Sequence, residues 1–167
     1  MNQFQTNDIV LYGSNGCCRI SEIETRESGS YYILTPVHKD RTKFMVPTDN
    51  ENLVSRIRPV PSKKAVHDCI RRAAQAEPSW IDDNAARKEA AKEVLASGDE
   101  FDLLMLARSF HQHKQHVMQI GKKTTSSDSS ILRSAQDHIR DEFSVVFDIE
   151  PEEVDAFIGG EASTSRG

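Results

Sequence analysis

Apolar residues fall in short, closely spaced runs over the first sixty positions and then change to a helical period. Asp8-Ile9-Val10-Leu11-Tyr12 is rich in strand formers, and Ser14-Asn15-Gly16 after it is turn chemistry. Cys17 to Ile23 alternates imperfectly, and Ser28-Gly29-Ser30 marks a second turn. Tyr31-Tyr32-Ile33-Leu34-Thr35 reads as a third strand, His38 to Arg41 as a turn, and Thr42-Lys43-Phe44-Met45-Val46 as a fourth strand stopped by Pro47. Asn52 to Ile57 adds a short fifth. Strands this short and this close predict a small β-barrel. Sixty residues or so lie near the lower limit for independent stability.

Pro59 and Pro61 resist helix continuation and mark a boundary. From Ser62, a plausible N-cap, Val66, Cys69, Ile70 and Ala73 follow i, i+3, i+4, i+7 spacing. A second helix is expected over 81–95, ending before the junction Ser97-Gly98-Asp99. There Gly98 suits the left-handed position and Asp99 caps the next helix. The third helix, 100–120, places Leu103, Leu104, Ala107 and His111 along one side. The polar stretch 121–130 reads as a loop. A fourth helix is expected over 130–147, with Leu132, Ala135, Ile139, Phe143 and Val146 as its apolar face. A short fifth runs from Pro151 to Ile158, followed by a disordered tail, 159–167. The fold class is therefore α+β: a small β-barrel over 1–60 followed by an all-α domain of about five helices over 61–158.

Composition changes this picture in three ways. With 37% hydrophobic and 28% charged residues the chain is of globular type, and it holds no apolar run of membrane-spanning length. The opening MNQFQTNDIV has neither a basic nor an apolar signal region, which sets the expectation of a cytoplasmic protein. Adjacent strand residues point to opposite faces, so Cys17 and Cys18 are poor disulfide partners. Reduced thiols, one of these two buried, are the simpler reading. The net charge of −5 opposes a general nucleic-acid-binding role, although residues 61–92 carry seven basic and five acidic groups.

Candidate chemistry is sparse. No nucleophile elbow, phosphate-binding loop or zinc-protease motif is present, so no catalytic residue, metal site or cofactor is assigned and the chain is not read as an enzyme. His111, His113 and His116 cannot all converge from one helix, since residues two apart diverge by roughly 200°. The lone tryptophan, Trp80, reads either as a ring folded back on the helices or as an exposed group that stacks on or wedges between bases. Lys63, Lys64, Arg71, Arg72, Arg87, Lys88 and Lys92 are ordinary surface charge on one reading and phosphate contacts on the other. The strand 42–46 is able to pair edge to edge with a partner strand.

Taken in order, the motifs form a set. Phe4-x-x-x-Asp8-x-Val10-x-Tyr12-x-x-x-Gly16 is followed by Ile23-Glu24-Thr25-Arg26, by Met45-Val46-Pro47 before Asn50 and Asn52, by Trp80, and by Leu95-Ala96-Ser97-Gly98-Asp99. Over residues 4–147 this resembles the CarD family of transcription regulators. Its N-terminal domain is shared with the polymerase-interacting domain of the transcription-repair coupling factor. The resemblance implies a Tudor/SH3-like barrel that binds the β-subunit lobe of RNA polymerase, with Arg26, Lys43, Phe44, Met45, Val46 and Pro47 as the contact set. It also implies a helical domain that meets promoter DNA at the upstream edge of the transcription bubble and stabilises the open complex. There Trp80 acts as the wedge and Arg87, Lys88 and Lys92 contact phosphate. A bacterial, monomeric protein of the cytoplasm is the corresponding expectation, with no membrane partner. The alternative is a polymerase-binding adaptor whose helical domain contacts another protein. Met45 stands where many relatives carry a basic residue, and Asp82 and Asp83 stand where relatives tend to be basic.

Overall fold

The computed structural model describes residues 3–38 and 42–164. They divide into two compact units, with the boundary between Pro61 and Ser62.

The first unit is an antiparallel sheet of five strands: β1 (Ile9–Tyr12), β2 (Cys17–Arg26), β3 (Gly29–Pro36), β4 (Phe44–Pro47) and β5 (Ile57–Pro59), in the order β4-β3-β2-β1-β5. One face buries Phe4, Val10, Cys18, Ile20, Tyr32, Leu34, Val46 and Ile57. The phenol of Tyr32 reaches across this core and accepts a hydrogen bond from the Phe4 N–H.

The sheet is not closed, which corrects the expectation of a barrel. Closure requires β4 to bond to β5, but β5 has three residues and ends on Pro59, which has no N–H to give. Where the short fifth strand was expected to begin at Asn52, a one-turn helix, α1 (Glu51–Val54), forms instead, because Asn50 caps it by accepting from the Leu53 N–H, and β5 starts only at Ile57. Leu53 and Val54 pack on the core from this turn. Strand β4 begins at Phe44, two residues later than expected, and part of the expected turn at 38–41 lies outside the described residues.

The imperfect alternation of β2 has a physical cause. The register shifts between Ile20 and Glu22, where Ser21 is an extra residue, a β-bulge. Cys18 and Ile20 face the core before it and Ile23 after it. Beyond the bulge the parity is therefore reversed, and Glu24 and Arg26 lie on the outer face. Alternation also sends Cys17 and Cys18 to opposite faces; both are buried thiols, where only one was expected.

The second unit is helical: α2 (Lys63–Gln75), α3 (Asn84–Ser97), α4 (Glu100–Gln119), α5 (Ser126–Phe147) and α6 (Val154–Thr164). Capping explains most boundaries. The Ser62 hydroxyl accepts from the Ala65 N–H, and Gly98 takes φ 69° at the end of α3, where the Asp99 carboxylate accepts from the Asp102 N–H to start α4. Helix α3 begins three residues later than expected because Asp83 is its cap, accepting from the Ala86 N–H at 2.8 Å. Helix α5 begins four residues early, because Thr125 caps it by accepting from the Asp128 N–H, and Ser126–Ser130 are helical despite their loop-like composition. Helix α6 runs through Gly159 and Gly160, where a disordered tail was expected. A tertiary anchor offsets the glycine cost: the Glu161 carboxylate meets the His67 ring of α2 at 2.8 Å, and that ring packs edge-on to Phe147.

Candidate functional site

The two units present separate candidate surfaces. On the sheet, the pairing register decides which side chains share a face. Tyr31 opposes Pro47 and Ile33 opposes Met45, while Tyr32 opposes Val46 and Leu34 opposes Phe44. Met45 and Pro47 therefore lie on the outer face with Tyr31 and, through the bulge, with Arg26. Met45 is 42% exposed, an unusual position for a large apolar side chain, and Lys43 just before the strand is exposed too. Val46 is fully buried and Phe44 packs its ring on Tyr12 at 5.5 Å. The set expected from sequence thus divides in two. Arg26, Lys43, Met45 and Pro47 offer side chains outward. Phe44 and Val46 hold the strand to the core and offer only backbone. Strand β4 bonds to β3 alone among the described strands, so its other edge is open.

Arg26 does not stand alone. Its Nε donates to Glu24 Oε1 at 2.6 Å, and its guanidinium lies 5.9 Å from the centre of the Tyr31 ring. The hydrogen bond to Glu24, and then its charge, hold the guanidinium still more firmly protonated than usual. The pair is exposed, so the bond is worth little in water and an incoming carboxylate can replace Glu24 at small cost.

On the helical unit, Trp80 sits in the segment between α2 and α3, outside any helix. Its ring meets Phe110 edge-on at 5.0 Å and stacks on His113 at 3.8 Å with 10° between the planes. It packs against a small core of Ala91, Phe110 and Leu132, yet it remains half-buried. Trp80 is therefore neither a free wedge nor a core residue: its ring is held among Phe110, His113 and Arg87 and is only partly exposed. Ile81 next to it is 41% exposed.

Arg87 cannot serve as the phosphate contact that the sequence suggested. The Arg87 and Asp128 side chains are only 7% and 3% exposed. Its Nε and Nη2 form a fork on the two Asp128 oxygens, both at 3.1 Å; Nη2 also donates to Asn84 Oδ1. Nη1 donates to the Ile81 and Asp82 carbonyls at 2.9 and 3.0 Å. A guanidinium has five N–H donors, and these five bonds use them all. Lys88 and Lys92, one turn apart on α3, are exposed, beside the equally exposed Glu89 and Glu93. Of the acidic pair, Asp83 is engaged at the start of α3, while the Asp82 carboxylate lies at the surface.

Sequence reasoning missed Asp128 and Ser109, whose hydroxyl donates to the Ser79 carbonyl at 2.6 Å, and weighed His113 only as a metal ligand and not as the ring stacked on Trp80. No local pattern could reveal the pairing of Arg87 with a carboxylate 41 positions away. Among the described residues, no three His, Cys, Asp or Glu side chains gather as a metal site. None of the described helices is long and apolar enough to cross a membrane.

The family model of the CarD-like/TRCF RID domain matches residues 4–60, the extent of the sheet unit. No curated protein matches the chain.

Proposed function

We propose, from the match of residues 4–60 to the CarD-like/TRCF RID domain, that this protein is a CarD-like transcription regulator that interacts with RNA polymerase, rather than an enzyme. The sheet unit docks on the β-subunit lobe of a bacterial RNA polymerase. The helical unit meets promoter DNA at the upstream edge of the transcription bubble and prolongs the open complex. The protein acts as a monomer in the cytoplasm.

The observation that carries the docking is the open edge of β4 beside an outer face bearing Arg26, Lys43, Met45 and Pro47. An open edge offers backbone hydrogen bonds to a partner strand, and flanking side chains select which strand. For the DNA contact the support is Trp80, held in the domain yet partly exposed, with the exposed Lys88 and Lys92 on the following helix. Aromatic groups so placed stack on unpaired bases or wedge between base steps.

Co-purification of the full chain with RNA polymerase tests the first part. A chain that fails to bind polymerase while folded defeats it. Footprinting on the promoter complex tests the second. Protection at the upstream bubble edge that depends on Trp80 is the expected result. One observation favours the alternative, a polymerase-bound adaptor whose helical unit contacts another protein: the exposed Asp82 beside Trp80 repels phosphate. An unchanged footprint with polymerase bound decides for that alternative.

A further inference from the structure

The segment 77–83 has no secondary structure, yet it is tied down along its length. Ser109 of α4 donates to the Ser79 carbonyl. The Trp80 ring rests on Phe110 and His113 of the same helix. Arg87 of α3 donates to the carbonyls of Ile81 and Asp82 and brings its guanidinium 4.7 Å from the centre of the Trp80 ring. Asp128, in the first turn of α5, fixes Arg87 from behind.

We infer that Arg87, held by Asp128, is the positioning residue for Trp80, and that it presents Trp80 and the exposed Ile81 as one preformed apolar tip for insertion at unstacked bases. The inference rests on the DNA-contact reading proposed above. Its physical content is preorganisation. A loop that must order on binding loses affinity to conformational entropy, and a loop already ordered does not. The guanidinium is suited to this task because its planar fork binds the carboxylate with two donors and still carries N–H groups for the loop carbonyls. A lysine at the same place supplies one compact charge and three donors without that geometry. The arrangement also accounts for a buried ion pair in a small helical unit, where apolar residues of the same volume serve stability as well or better.

The chain's single tryptophan makes the test direct, since its emission reports the setting of Trp80 alone. In the full chain, Arg87→Lys should shift Trp80 emission to the red and raise its quenching by acrylamide. On a linear promoter fragment carrying RNA polymerase, the same variant should shorten open-complex lifetime by about 5-fold or more, the lower bound for loss of one base stack. Polymerase affinity should not change. Should Arg87→Lys fail to fold, the double variant Arg87→Met with Asp128→Leu replaces the pair by apolar volume. It should recover the melting temperature but not the emission or the lifetime, because the Ile81 and Asp82 carbonyls still lack their donor. A folded variant with wild-type emission and wild-type quenching overturns the inference. So does a variant with displaced emission and an unchanged lifetime, where the wild-type chain prolongs that lifetime. If the wild-type chain has no effect on lifetime, the DNA-contact reading fails, while the emission measurement still decides whether Arg87 positions Trp80.

Discussion

Replacing Trp80 by alanine removes two things at once, and the structure gives the size of each. Burying a whole tryptophan withdraws roughly 150–250 Å² from water, about 4–6 kcal/mol at roughly 25 cal/mol per Å². Trp80 is only partly exposed and packs against Phe110, His113 and the Ala91–Leu132 core. Trp80→Ala should then destabilise the helical unit by about 3–5 kcal/mol, close to the value for a fully buried aromatic. For a unit of about 100 residues this lowers the melting temperature by about 15–30 °C. The exposed part is worth roughly 1–3 kcal/mol if it stacks on a base, which shortens open-complex lifetime by about 5-fold to 150-fold. A stability loss alone therefore does not argue against a wedge. Trp80→Phe separates the effects: one ring remains against Phe110 and the second ring is lost. Denaturant melts of both variants should show a small loss for phenylalanine and a larger one for alanine. Lifetimes measured well below either melting temperature should fall in both. If Trp80→Phe is stable and its lifetime equals that of the wild type, the exposed part of the indole touches no DNA and the reasoning fails.

Three further outcomes follow from the same surfaces. Arg26→Glu places a second carboxylate beside Glu24 on an exposed face; it should leave the melting temperature within about 2 °C, as surface changes do, and weaken polymerase binding by about 10-fold, read by titration of labelled polymerase, for a loss on the order of 1.4 kcal/mol. Free duplex DNA should bind weakly: with Arg87 consumed by Asp128, the slope of log affinity against log salt should be on the order of −1 to −2 at about 0.9 per phosphate contact, and a slope several units steeper would reveal a basic surface elsewhere. Asp82→Asn with Asp83→Asn should lengthen open-complex lifetime by about 2-fold to 5-fold through lost repulsion, with little change in a thermal melt because asparagine also caps helices; no change in lifetime would mean that these carboxylates face away from phosphate.

The sequence disclosed what local chemistry controls. Ser62, Gly98 and Asp99 could be placed in their capping roles because a cap needs only its neighbours three or four positions away. The strands up to Thr35 were visible in β-branched and aromatic runs for the same reason. What depends on distant partners was hidden. Composition at Ser126–Ser130 favours a loop, and the Thr125 cap, the buried Arg87–Asp128 pair and the packing of Leu132 onto Phe110 and Ala91 carry the helix through it. Gly159 and Gly160 read as the start of a tail, and the His67–Glu161 contact overrides them. The bulge at Ser21 left a trace, the broken alternation after Ile20, but the trace alone does not say which way Arg26 faces. Which residues of the expected sheet surface point outward was not legible, because only the observed register separates Lys43, Met45 and Pro47 from Phe44 and Val46. Arg87 was misread, since nothing within four residues of it announces a buried carboxylate partner.

The open edge of β4 has a consequence for the protein's behaviour in solution. A row of unsatisfied backbone groups invites a second copy of the same chain as readily as any other strand, which is the usual route to aggregation. Here the strand is only four residues long, a charged Lys43 stands at its entrance and Pro47 closes it. Short length, lysine and proline are the devices that blunt an edge against self-pairing. On the docking reading proposed above, so short a strand would hold a partner weakly by backbone alone, and the side chains of Arg26 and Met45 on the adjoining face would have to carry the rest. The same shortness that blunts self-pairing would then make docking depend on those two residues.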